Sequence, residues 1–257
     1  MDHRTFVSNT IGKAWARERV TSLVDMLSLD DIAELLNTPS SSAIPYRNGD
    51  VVPDGEYRAN VPGKDVDVHW LYRHMASKQS AVLNSVDRYS ASVARFARDV
   101  QDSLPYPSGT WTNLYISFDD VQCLGQHVDP TEIYVLQLHG TKRWIMGDRS
   151  LDLEPGDMLY VPKGLAHSAM CVSKCSVHLT VAVRPFTMQD YLDAASRHIV
   201  LSDEPVLSAD HARTMLVDFF AQLSAVNAES VLEQARRRSH LFDMTKTEKL
   251  DFRELMR

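Results

Sequence analysis

Cysteine is scarce: Cys123, Cys171 and Cys175 are the only three in 257 residues, and no two form a CxxC pair. That excludes a disulfide framework and a zinc ribbon, and reduced thiols in a cytoplasm are the expected state. Long apolar runs are missing as well; nothing approaches the roughly 18 consecutive apolar residues of a membrane span. The first residues, Met1-Asp2-His3-Arg4 leading to Lys13, Arg17 and Arg19, lack the apolar stretch of a secretion signal, so none is expected. Positive charge is in deficit, with 27 Lys and Arg against 34 Asp and Glu and a net charge of -7. A chain of that balance does not bind phosphate backbones nonspecifically, and nucleic acid is not an expected partner.

What is present is enough to build a core, since 44% of the residues are hydrophobic. Periodicity divides the chain into three stretches. Residues 1–110 read as helices and loops. The segment Ser28-Leu-Asp-Asp31 forms a capping box ahead of Ile32, Leu35 and Leu36, and the stripe Val93, Phe96, Ala97, Val100 and Leu104 is stopped by Pro105 and Pro107. Between them, residues 44–66 carry three prolines and three glycines, a pattern of turns between short strands or of a loop free to act as a lid.

From Trp111 to about Arg184 the period becomes two, with strands expected at 111–118, 133–139, 142–147, 158–162 and 176–183. This stretch, 111–185, reads as an antiparallel barrel or sandwich. Residues 186–257 return to helical spacing, with Met215, Leu216, Phe219, Phe220 and Leu223 on one stripe and Val231, Leu232 and Ala235 beginning another. The charged tail, Arg236 to Arg238 and Lys246 to Arg257, reads as a solvated face.

Chemistry concentrates in the middle stretch. Side chains two apart on a strand share a face, so His127 and Asp129 point together if Val128 points away. About forty residues on, Gly156-x5-Pro162-x-Gly164-x2-His167 supplies a hairpin turn, a reversal and a second imidazole. Two imidazoles and one carboxylate are the donor set that holds non-haem Fe(II) with positions left open, though zinc hydrolases use similar sets. The remaining histidines, His69, His74, His139, His178, His198, His211 and His240, lack such a frame and read as ordinary core or surface residues. Glu132 falls on the opposite face from Asp129 and would support the ligands at most.

Along 111–118, Trp111, Asn113, Tyr115 and Ser117 share one face. In 142–147, Lys142 and Arg143 point to opposite faces, so one cation enters the barrel, where it is costly unless an anion meets it. A dicarboxylate resolves the conflict by chelating the metal at one end and pairing with Lys142 at the other, with Tyr115 and Thr180 donating hydroxyls.

These residues resemble the JmjC-type, cupin-like ribosomal oxygenases of bacteria, a branch of the Fe(II)- and 2-oxoglutarate-dependent oxygenases. The resemblance rests on His127-Val-Asp129, on Ile133 through Trp144, on Leu153 through His167, and on Ser176-Val-His-Leu-Thr180; it extends more loosely over residues 6–185. It implies a mainly β protein with flanking helices, a double-stranded β-helix (cupin or jelly-roll) barrel followed by a C-terminal helical bundle through which the chain forms a homodimer. It also implies that His127, Asp129 and His167 bind iron, that Lys142 takes the far carboxylate of 2-oxoglutarate, and that Asn113, Tyr115 and Thr180 lie beside that cosubstrate, with O2 as the second. Family members that act on ribosomal proteins usually continue into a winged-helix domain, for which 186–257 leaves little room beside a bundle.

The expected activity is hydroxylation of an amino-acid side chain in a peptide or protein, including a biosynthetic precursor peptide. Two further enzyme readings stay open: a small-molecule 2-oxoglutarate oxygenase of natural-product biosynthesis, and a metal cupin that does not use 2-oxoglutarate. A metal-bound sensor without turnover is the reading from another class.

Overall fold

The computed structural model describes residues 1–37, 42–47, 50–57, 67–118, 124–199 and 205–241. Among them run twelve strands: β1 (Ala16–Arg19), β2 (Ser42–Arg47), β3 (Asp50–Val51), β4 (Ser80–Asn84), β5 (Gly109–Phe118), β6 (His127–Val128), β7 (Glu132–His139), β8 (Lys142–Met146), β9 (Arg149–Leu153), β10 (Asp157–Val161), β11 (Ala166–Cys171) and β12 (Cys175–Arg184). The helices longer than one turn are α1 (His3–Thr10), α2 (Leu29–Asn37), α3 (Val68–Ala76), α4 (Ala91–Asp102), α5 (Met188–Ala195), α6 (Ala209–Ala225) and α7 (Ala228–Leu241).

Two sheets form the barrel. The larger has the order β1-β10-β7-β12-β5-β4-β2-β3, and the smaller β6-β11-β8-β9, with antiparallel pairing at the registered junctions. This is a jelly-roll, the double-stranded β-helix expected from the sequence. Its core joins Ile133, Val135, Leu159, Val161 and Ala182 of the larger sheet to Trp144, Met146 and Leu153 of the smaller. The central strand β7 is buried on both faces, which is why 132–138 reads as an almost continuous apolar run. On its outer face Phe6 of α1 packs edge-on against Tyr134, whose hydroxyl donates to the carbonyl of Val7 at 3.2 Å.

Two compact units divide the chain: residues 1–104 with 110–184, and residues 105–109 with 185–257. In the first, the capping box at Ser28 forms as read, with Ser28 Oγ accepting from Asp31 N at 3.1 Å and Ser28 N donating to Asp31 Oδ2 at 2.8 Å. The apolar stripe of α4 is buried through Val93, Phe96, Ala97 and Val100. In the second unit, α5 packs on α7, where Val231 is buried, whereas α6 buries none of its side chains.

The N-terminal stretch departs from the helical reading. Ala16–Arg19 is an edge strand, paired with β10 and tied to it by Arg17, which donates to the buried Asp157 at 2.7 Å. Three of its four residues are charged, as suits an edge strand, and this hides the strand from a search for apolar alternation. Strands β2 and β3 occupy part of the turn-rich stretch 44–66 and extend the larger sheet; residues 48–49 and 58–66 of that stretch, and with them most of the lid reading, lie outside the described residues.

Candidate metal centre

β6 is only two residues long, yet it carries the first donor into the barrel. Val128 faces solvent, so its neighbours His127 and Asp129 turn inward together. Cross-strand pairing sets His167 of β11 directly opposite His127, with ring centroids 4.5 Å apart. Gly164, at a φ of 84°, closes the turn between Pro162 and Leu165 and donates its backbone N–H to the carbonyl of Asp129 at 3.1 Å. A left-handed glycine thus ties the segment bearing the carboxylate to the approach of the second histidine.

The three side chains converge. One donor atom from each of His127, Asp129 and His167 lies within 4.8 Å of the other two. His167 Nε2 is 3.5 Å from Asp129 Oδ2, and His127 Nε2 is 3.8 Å from Asp129 Oδ1. Each imidazole is oriented from behind: His127 Nδ1 donates to the carbonyl of Gly125 at 2.8 Å and His167 Nδ1 to that of Leu165 at 2.9 Å. This pairing fixes the tautomer and leaves both Nε2 lone pairs facing the carboxylate. Burial holds the His167 imidazole below its ordinary pKa of 6.5, and the neighbouring His127 acts in the same direction against the Leu165 carbonyl and Asp129. A neutral imidazole is the form that ligates. The donor set and its orientation fit an Fe(II) ion with open coordination positions.

The triad opens into a cavity of about 140 Å³. β5 lines it with Trp111, Asn113 and Tyr115, β8 with Lys142 and Trp144, and β12 with His178, Thr180 and Ala182. Along β5 exposure falls from Trp111 in the lining, 40% exposed, to the fully buried Ser117 beyond it, which accepts from Lys142 Nζ at 2.8 Å. The alternation of β8 settles which cation enters: Lys142 is 1% exposed, while Arg143 turns outward and donates twice to Asp152, at 2.7 and 2.8 Å. On β8, Met146 opposes His167 and Lys142 lies four residues away, roughly 13 Å along the strand. The triad and Lys142 line the same cavity, so a short dicarboxylate held between them would meet a metal at one end and the ammonium at the other.

Two buried polar atoms support the fit of a polar ligand. Trp144 Nε1 and His178 Nδ1 both belong to cavity-lining residues and have no hydrogen-bond partner among the described residues. Native structures seldom leave such atoms without a partner, protein or water. His178 was read from the sequence as an ordinary histidine; in the structure it stacks on Tyr115, centroids 4.7 Å apart and planes within 3°. Trp144 stacks on His167 at 5.7 Å. Both lie in segments that carry the family resemblance, but nothing in the spacing singles either one out. Glu132 stands away from the triad and accepts from the Tyr160 hydroxyl at 2.6 Å, where burial first and that partnership second raise the Tyr160 pKa.

Comparison with known proteins agrees with this geometry. The JmjC domain family matches residues 88–152 and 148–191. A bifunctional lysine-specific demethylase and histidyl-hydroxylase NO66 from Branchiostoma floridae is 34% identical over 128 residues, covering 48% of this chain and 20% of the relative. Ribosomal oxygenase 2 of Mus musculus is 31% identical over 153 residues, 49% of this chain and 32% of its own. The chain therefore spans between a fifth and a third of the length of these curated relatives. Among solved structures, the Escherichia coli ribosomal oxygenase YcfD in complex with cobalt and 2-oxoglutarate superposes with a TM-score of 0.58 at 17% identity, covering 86% of this chain and 67% of that one. Residues 88–191 of this chain accordingly match the JmjC domain, on a fold that the chain shares with that ribosomal oxygenase.

Proposed function

We propose that this protein is an Fe(II)- and 2-oxoglutarate-dependent oxygenase that hydroxylates a side chain of a peptide or protein. The single observation that carries the reading is one cavity with His127, Asp129 and His167 gathered at one end and the buried Lys142 cation at the other. The names of the relatives, histidyl-hydroxylase and ribosomal oxygenase, support a protein substrate, and a histidyl side chain is the first to test.

In this reading His127 and His167 hold the metal through Nε2 and Asp129 through a carboxylate oxygen. When bound, the iron with 2-oxoglutarate and O2 supplies the oxidising chemistry, the keto acid leaving as succinate and CO2 and one oxygen atom passing to the substrate. Lys142, steadied by Ser117, receives the far carboxylate, and Asn113, Tyr115 and Thr180 orient the keto acid from β5 and β12. The apolar wall of Ile133, Trp144, Ala169 and Ala182 keeps water from the reacting end. Trp111, half exposed on the same face, is the wall that an incoming side chain meets.

A homodimer belongs to the same proposal. The stripe foreseen on α6 leaves Leu216 and Phe220 exposed at 54% and 60%, an apolar face suited to a second copy. A cytoplasmic setting is part of the same proposal, and the scarcity of cysteine supports it. Aerobic incubation with Fe(II), 2-oxoglutarate, ascorbate and histidine-containing peptides tests the activity. The expected result is succinate together with a peptide mass gain of one oxygen, both lost in Asp129→Ala with little change in melting temperature. Turnover of a free small molecule with no peptide product would move the assignment to natural-product chemistry, and absence of succinate would remove 2-oxoglutarate altogether.

A further inference from the structure

His178 has no part in the activity derived above, yet it is 3% exposed, lines the cavity, and carries an Nδ1 with no hydrogen-bond partner among the described residues. Its setting is built rather than incidental. The pairing of β7 with β12 slips just before it: Val177 opposes His139 and His178 opposes Gln137, so Leu138 is an extra residue on β7. Bulges of this kind re-aim side chains beside functional sites. The ring is then clamped, its face on Tyr115 and Trp144 set at 74° to it with centroids 5.5 Å apart. Two residues further along the same face stands Thr180, and Lys142 is close enough for its charge to act on the imidazole.

Resting on the oxygenase reading, we propose that His178 is a further binding residue for the far carboxylate of the keto acid, donating a ring N–H to it beside Lys142 while its stacked face holds Tyr115 in place. A neutral imidazole suits this position. Burial first, and the Lys142 cation second, hold its pKa well below the ordinary 6.5, so it adds a donor without adding a second positive charge to a site that already contains one. A single divalent metal, one aspartate, one lysine and a dicarboxylate sum to zero charge, and an imidazolium would upset that balance.

The test uses the full chain loaded anaerobically with Fe(II) and titrated with 2-oxoglutarate, or with oxalate as the comparison ligand, reading the heat of binding in both cases. Oxalate chelates the metal but is too short to reach Lys142. His178→Phe keeps a stacking ring and loses the donor; His178→Asn keeps a donor. The expected result is a Kd for 2-oxoglutarate raised about tenfold in His178→Phe and largely restored in His178→Asn, with the Kd for oxalate unchanged in both. Equal weakening of oxalate and 2-oxoglutarate would reduce His178 to a core residue and overturn the proposal, as would wild-type affinity in both variants. If the wild-type protein binds Fe(II) and oxalate but not 2-oxoglutarate, the oxygenase reading falls and this proposal with it.

Discussion

At the residue scale, the strongest contrast is between Lys142 and Arg143, adjacent cations with opposite fates. Lys142→Ala removes a buried ammonium whose location suits the far carboxylate, so the apparent KM for 2-oxoglutarate should rise at least tenfold while kcat changes less. Arg143→Ala breaks only an exposed ion pair with Asp152 and should leave both constants near wild type. Steady-state succinate formation measures both, and the reverse ranking would move the anion site to the outer face of β8. Alternation alone leaves the two indistinguishable, because it tells which residues share a face but not which face is inside; the family resemblance is what singles out Lys142. The triad was legible for the opposite reason: His127 and Asp129 are two apart, and His167 arrives in a frame of turn residues that only a returning strand requires. His178 was not legible, since a single histidine carries no spacing; its partners Tyr115, Trp144 and Lys142 come from three other places in the chain.

Elements show a similar division. Strands β5, β7, β8, β10 and β12 alternate or run apolar and were readable to within a residue or so, whereas the charged β1 and the two-residue β6 are defined by their partners alone. Turn chemistry supplies a sharper check. Gly140 closes the hairpin between β7 and β8 at a φ of 61°, and a methyl group there would strike the carbonyl oxygen of Cys175 and crowd the hydroxyl of Ser173. That hydroxyl accepts from Thr141 N at 2.9 Å and donates to Cys175 O at 2.8 Å, so the tip has no slack. Gly140→Ala should therefore destabilise the fold by about 2 kcal/mol or more, combining left-handed strain with a backbone collision. Urea unfolding measures it; a loss below about 0.5 kcal/mol, the level of an ordinary surface change, would mean the hairpin tip is not held as described.

For the whole molecule, pH dependence follows from three histidines. Burial lowers the pKa of His74, His167 and His178 below 6.5, so each binds its proton less readily folded than unfolded. Their contribution to stability is present above pH 6.5 and is lost as pH falls below it. The metal-free protein should thus melt at a lower temperature at pH 5.5 than at pH 7.5. The Cys175 thiol and the Tyr160 hydroxyl, raised by burial from 9.0 and 10.0, act in the other sense: the unfolded chain ionises first, and stability declines above about pH 9. A flat melting profile between pH 5.5 and 7.5 would contradict the buried neutral imidazoles. At the same scale, Leu216→Glu combined with Phe220→Glu should shift the mass measured by light scattering from two chains to one, with succinate formation as the control for an intact barrel.

The main-chain tie from Gly164 to Asp129, with carbonyls bracing both rings, has a consequence for metal identity. Donors set by backbone geometry accept whichever divalent ion reaches them, and two nitrogens with one oxygen favour nickel, copper and zinc over ferrous iron. Selectivity then rests with cellular supply, and protein recovered from a nickel or zinc column should be inert until stripped by a chelator and recharged.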